Sequence, residues 1–119
     1  MTYDANNIFA RILRGEIPNR TVLETPHTLT FHDINPAAPV HVLLIPKGAY
    51  VDFADFAAHA SAEELVDFHR AAAQVCDMLG LEQGYRCITN AGAHGMQEVP
   101  HYHLHILGGH VLGPLVTKV

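Results

Sequence analysis

The stretch 99–109, VPHYHLHILGG, places His101, His103 and His105 at every second position, with Tyr102, Leu104 and Ile106 between them. Alternate residues of an extended strand face the same side, so the three imidazoles project together while the aromatic and aliphatic groups face the opposite layer. On a helix the same spacing would scatter them around the axis. The pattern predicts a strand over VPHYHLHIL (99–107), and its apolar face requires a second layer to bury it.

Outward from this strand, GYRCITN (84–90) predicts another, joined to it by the polar, glycine-containing loop AGAHGMQE (91–98). VHVLLIP (40–46) is a third β candidate, and TVLET (21–25) with LTFHDI (29–34) predicts a hairpin that ends at the break NPAAP (35–39). Ser61 and Glu64 form an S-x-x-E capping box for a helix with Leu65, Phe68, Ala72, Val75 and Leu79 on one face and Gly80 at its end. Asn7, followed by Ile8, Phe9, Ile12 and Leu13 and then Gly15 and Pro18, predicts a short amphipathic helix. VDFADFAAHA (51–60) has no assigned element. These segments sum to an α+β fold, a sheet with helical cover.

The chain has 119 residues, 49% of them hydrophobic and 16% charged, which predicts one compact domain over 1–119 with a real core. No run approaches the roughly 20 apolar residues that cross a bilayer, and the start MTYDANNIFARILRGEIP lacks the pattern of a secretory signal, so a cytoplasmic protein without membrane partners is expected. The net charge of −5, with no local Lys/Arg cluster, argues against a polymeric nucleic-acid partner. Cys76 and Cys87 lack C-x-x-C spacing and are expected to be free, buried thiols.

A row of imidazoles suits an anion such as a phosphate ester. The neutral ring is nucleophilic, its neighbours donate hydrogen bonds, and an ordinary pKa of about 6.5 permits proton transfer near neutrality. Like-charge repulsion disfavours protonating every ring at once. Two other readings stand beside this one. The outer histidines of a strand start about 13 Å apart, too far to share one zinc, although a pair such as His101 and His103 could bind a metal with a distant ligand. Three histidines could also merely decorate a solvated sheet face.

HYHLHIL (101–107) fits the histidine triad pattern of histidines alternating with apolar residues, and further matches lie in NNIFARILRGEIP, FHDINPAAPVHVLLIPK, ITNAGAHGMQEVPHYHLHILGG and LGPL. The chain resembles the histidine triad nucleotide-binding (Hint) proteins of the HIT superfamily, closest to their bacterial type. The resemblance implies a HIT-like fold: a five-stranded antiparallel sheet with one long and one short helix packed on it. It implies a purine nucleoside 5′-phosphoramidate hydrolase that cleaves the P–N bond through a covalent nucleotidyl-histidine, with no cofactor and no metal. A dinucleoside polyphosphate hydrolase of the same superfamily and a nucleotide-binding regulatory module with little turnover are the alternatives.

Carried onto this chain, the resemblance makes His103 the nucleophile, with the backbone carbonyl of His105 orienting its other ring nitrogen. His101 and His41 would hydrogen-bond the phosphate or the leaving group, and Asp33 would hold the ribose. Asn90 would lie near ribose and phosphate, and Gln97 would open onto the scissile group. Ile8, Phe9, Ile12 and Phe31 match positions that enclose the purine, as do His32, Ile34 and Leu43. Glu98 stands where many eukaryotic relatives carry serine, Met96 where glycine is frequent and His110 where arginine is common. The Glu98 carboxylate would attract a cationic amine leaving group and repel a polyphosphate. The implied partners are a purine nucleotide, AMP ahead of GMP, and a second copy of the chain in a homodimer.

Overall fold

The computed structural model describes residues 2–117. A short helix α1 (Ile8–Leu13) leads into β1 (Thr21–Glu24), β2 (Thr28–His32) and β3 (Val40–Pro46). The helices α2 (Phe53–His59) and α3 (Ala62–Met78) follow, then β4 (Tyr85–Ile88) and β5 (Leu104–Gly108). The five strands form one antiparallel sheet in the order β1-β2-β3-β5-β4. Among the described residues no helix is long and apolar enough to cross a membrane.

Strand alternation divides the sheet between two cores. Val42, Leu44, Tyr102 and Ile106 point to one face and pack with Phe56 of α2 and with Phe68, Ala71 and Val75 of α3. Tyr102 is the centre of this layer, its ring 5.0 Å from Phe56 and 5.2 Å from Phe68. Leu29, Phe31, Leu43 and Ile45 point the other way and pack under Phe9 and Ile12 of α1. The histidines share this second face, because Leu43 is the register partner of His105.

Caps fix the helices where the sequence places them. Ser61 accepts from the Glu64 backbone N–H while the Glu64 side chain accepts from the Ser61 N–H, so the capping box is complete. The Asn7 side chain accepts from the Ala10 N–H and starts α1. α2, in the stretch without an assigned element, is a second short helix: seven residues give too little periodicity to read. Its start is set by Asp52, which caps the Asp55 N–H, and by Asp55, which accepts from the Val51 N–H.

Two further expectations are corrected. Cys76 is only half-buried and Cys87 is exposed, since β4 lies at the edge of the sheet, where it pairs with β5 alone. β5 begins at Leu104 rather than at Val99. The preceding backbone finds partners outside a ladder: the His101 N–H donates to the Val99 carbonyl, the Tyr102 N–H to the Tyr50 carbonyl, and the Thr89 hydroxyl to the His103 carbonyl. Extended alternation nevertheless continues through 101–103, with Tyr102 and His103 turned to opposite layers.

Asp67 of α3 ties the helix to the β1–β2 turn. One of its carboxylate oxygens accepts from the Thr25 hydroxyl at 2.7 Å, the Thr28 hydroxyl at 2.8 Å and the His27 N–H at 3.1 Å. Desolvation pushes the carboxyl pKa up, but these hydrogen bonds outweigh it and hold the group below its ordinary 3.8. The ionised form therefore stabilises the fold above that value, and the contribution is lost as pH falls below it through the lowered pKa of the folded chain. Asp67→Ala should cost about 1–3 kcal/mol in urea unfolding near neutrality. The difference between wild type and variant should shrink in melts repeated at about pH 3.

Candidate active site

The peptide carbonyl of His101 is free of the sheet ladder, and the ring of His103 uses it: His103 Nδ1 lies 2.8 Å from the His101 oxygen. A carbonyl only accepts, so Nδ1 carries the proton and the lone pair of the neutral His103 ring sits on Nε2. The carbonyl that orients this ring is thus that of His101, not that of His105 as expected. Phe9 packs edge-on against the ring at 4.9 Å, and the side chain is buried. Desolvation lowers the pKa of His103; the hydrogen bond to His101 and the charges of Asp33 and Glu98 act in the opposite sense.

A second chain of bonds fixes the next two rings. The Ala37 N–H donates to His41 Nδ1 at 3.0 Å, which leaves the proton of neutral His41 on Nε2. That nitrogen lies 2.9 Å from His105 Nδ1 and 3.4 Å from Asp33 Oδ2. His105 therefore accepts at Nδ1 and carries its own proton on Nε2, as a donor. The His105 ring stands 5.2 Å from that of His103. Burial, followed by the neighbouring His103 and His41, pushes the pKa of His105 down to about 4.

His101 behaves differently from the expectation that it contacts the phosphate. Its ring is fully buried, with Nε2 2.8 Å from the Pro46 carbonyl and Nδ1 2.6 Å from the Tyr3 hydroxyl. Both ring nitrogens are engaged inside the protein, so His101 acts on its surroundings through its carbonyl and its packing. Burial pushes its pKa down to about 4.

Asp33 follows β2 and accepts from the Asn35 N–H through one oxygen, which turns the other toward His41. Donor atoms of Asp33, His41 and His105 lie within 4.8 Å of one another, a spacing compatible with a metal ion. The chemistry of the set opposes one: with Ala37 holding the lone pair of His41 Nδ1, His41 Nε2 is a donor, and ligation there would require an imidazolate or a broken bond.

The remaining expected residues divide. Phe9, Ile12, Phe31 and Leu43 are brought into one packed cluster beside the histidines, whereas His32, half-buried and the register partner of Val42, alternates to the other face of the sheet and is not part of it. Ile34 is 91% exposed and Ile8 47%, and neither belongs to the cluster. Asn90 is half-buried just beyond β4. Gln97 departs from the expectation: its amide nitrogen donates to the Val51 and Val99 carbonyls and its oxygen accepts from the Gly92 N–H, so it braces the 91–98 loop. Glu98 is exposed near His103. Met96 has φ of 57°, the left-handed backbone that glycine adopts without strain. Sequence reasoning missed Tyr3, Ala37 and Pro46; the last two act through backbone atoms and leave no side-chain signature.

A fold of this kind, with a histidine cluster between α1 and the centre of the sheet, defines the class. Residues 14–112 match the HIT domain family, and the chain belongs to it. It is 57% identical to an uncharacterised HIT-like protein of Azospirillum brasilense over 98% of this chain and 97% of that one. It is 40% identical to the purine nucleoside phosphoramidase of Escherichia coli K12 over 92% of each chain. A solved structure of a HIT family hydrolase from Clostridium thermocellum superposes with a TM-score of 0.85 at 42% identity, covering 94% of this chain and 97% of that one.

Two rings that resist protonation, His101 fully buried and His105 half-buried, have a thermodynamic consequence. Unfolded histidines titrate near 6.5, whereas His101 and His105 take up protons only near 4 in the folded chain. Between these values the unfolded state binds more protons, so stability is full above about 6.5 and falls as the pH drops toward 4. Ring titration by NMR should show both residues neutral at about pH 5.5, and unfolding free energies should decline across the same interval.

Proposed function

We propose that this chain works as a single HIT domain that hydrolyses purine nucleoside 5′-phosphoramidates, with adenosine ahead of guanosine. The observation that carries the reading is the bond from His103 Nδ1 to the His101 carbonyl, which leaves Nε2 as a lone-pair nitrogen in a buried neutral ring. His103 Nε2 attacks the α-phosphorus, the P–N bond breaks with its electron pair going to nitrogen, and the departing amine takes up a proton from solvent, which the attacking water of the next step returns. A water molecule then attacks the phosphorus of the nucleotidyl-histidine, releasing the nucleoside monophosphate and restoring the ring.

The other side chains have matching tasks. His105, with its proton on Nε2, donates to a phosphate oxygen, and His41 fixes that polarity from behind. The ribose hydroxyls donate to Asp33. Phe9, Ile12, Phe31 and Leu43 supply the apolar wall for the base, and Ile8 and Ile34 its exposed lips. Asn90 lies on the ribose and phosphate side. The similarity to the Escherichia coli phosphoramidase supports the same reaction class.

A homodimer in the cytoplasm belongs to the same reading. β4 offers an open edge with Tyr85 and Cys87 exposed, beside Val111, Leu115 and Val116 of an exposed tail. Arg86 of β4 holds that tail by donating to the carbonyls of Gly113 and Pro114. Sedimentation at micromolar concentration should give a dimer.

Hydrolysis of an adenosine 5′-phosphoramidate and of a diadenosine polyphosphate, both with chelator present, tests the function. Wild type should cleave the phosphoramidate selectively, and His103→Ala should lower turnover by about 10⁴-fold or more. Preference for the polyphosphate would assign the rival hydrolase activity; binding without turnover of either substrate would assign a regulatory module.

Glu98 adds a specificity prediction. Its exposed carboxylate near His103 should favour an ammonium-bearing leaving group. Glu98→Ser should lower the ratio of kcat/KM for a lysyl over a neutral phosphoramidate by about fivefold; an unchanged ratio refutes the role.

A further inference from the structure

We propose that Tyr3 is a positioning residue of the active centre, whose hydroxyl holds the His101 ring in one tautomer and thereby keeps the His101 carbonyl aimed at His103. The catalytic half of this inference rests on the function proposed above; the tautomer half does not.

The argument follows from which atoms can donate. Pro46 offers only a carbonyl, so His101 Nε2, 2.8 Å away, carries the ring proton. His101 Nδ1 is then a bare acceptor in a fully buried side chain, and the Tyr3 hydroxyl, 2.6 Å away, is the donor that satisfies it. The Tyr3 ring also meets the imidazole edge-on at 5.6 Å. With both nitrogens matched, the ring has one low-energy orientation, and the peptide that carries it presents its oxygen to His103 Nδ1.

The segment that delivers Tyr3 is itself anchored. The Asn7 amide donates to the Asp4 carbonyl at 2.7 Å while its oxygen caps α1, so the residues just after Tyr3 are folded back onto the helix start. Phe9, two residues beyond the cap, packs against His101 at 6.3 Å and His103 at 4.9 Å. The N-terminal segment thus reaches the nucleophile by two routes, one polar through Tyr3 and one apolar through Phe9. Tyr3 and His101 are 98 positions apart in sequence.

Removing only the hydroxyl leaves Nδ1 buried without a donor. The ring regains a partner only by moving its proton or rotating away from Pro46, and either change loosens the carbonyl that fixes the proton of His103. Its lone pair is then divided between Nδ1 and Nε2.

The test compares wild type with Tyr3→Phe, which keeps the aromatic packing, using ¹⁵N-histidine-labelled full-length protein. In wild type His101 should show a single tautomer protonated on Nε2, and His103 one protonated on Nδ1. In Tyr3→Phe the His101 Nδ1 signal should shift and the His103 nitrogens should report mixed tautomers. With an adenosine 5′-phosphoramidate, kcat should fall by about 10-fold to 100-fold while KM changes less than about threefold. Unchanged ring signals overturn the proposal, as do altered signals with unaltered kcat. If the protein cleaves no phosphoramidate, the ring signals alone decide whether Tyr3 sets the tautomer, and the failure then belongs to the proposed function. Tyr3 is half-exposed, so Tyr3→Phe folds; matching thermal melts verify it.

Discussion

The carbonyl of His101 is bonded to an imidazole instead of a neighbouring strand, and much of the site depends on that diversion. Had the ladder continued upstream from Leu104, that oxygen would be available for a peptide N–H and the His103 ring would have no fixed acceptor. The chain stays extended through this stretch because its other backbone groups are satisfied by Val99, Tyr50 and Thr89. Alternation persists without the ladder. Tyr102 remains locked among Phe56 and Phe68, and this anchor on the far face prevents the histidine side from rotating. The packing of an aromatic residue on one layer therefore sets the geometry of a nucleophile on the other.

Burial and hydrogen bonding divide their effects among the rings. Desolvation lowers the pKa of His101, His103 and His105 alike, so the cluster is kept neutral. What distinguishes the rings is which nitrogen carries the proton, and backbone atoms decide that: Pro46 for His101, the His101 carbonyl for His103, and the Ala37 N–H, acting through His41, for His105. Three chemically identical side chains thereby present a sealed ring, a lone pair and a donor.

The strands, the long helix and its capping box were legible because their signals are local: alternation, a continuous apolar run, an S-x-x-E spacing. The histidine face was legible for the same reason. The start of β5 was not, because hydrogen bonds from Tyr50 and Thr89 end the ladder without changing the side-chain pattern. α2 escaped because a seven-residue helix shows barely two turns of periodicity. Within the candidate site, the sharing of one face by the histidines was readable and their hydrogen-bond partners were not. Gln97 resembles a ligand-facing amide until its three bonds to the loop backbone are seen, and His101 resembles its triad neighbours until Tyr3 closes over it. The left-handed φ of Met96 leaves no trace in the sequence, where a methionine gives no sign of it.

The segment NPAAP between β2 and β3 looks like an ordinary surface connection, and such connections usually accept insertions and deletions freely. Here the Ala37 N–H determines where His41 carries its proton, and through it the polarity of His105. Two prolines and the turn made by Asp33 with Asn35 hold that single N–H in place. A change of length would leave the sheet and both cores intact yet remove the group that orders the proton chain. A surface connection that packs against neither core thus sets, through one backbone atom, the proton polarity of the buried site.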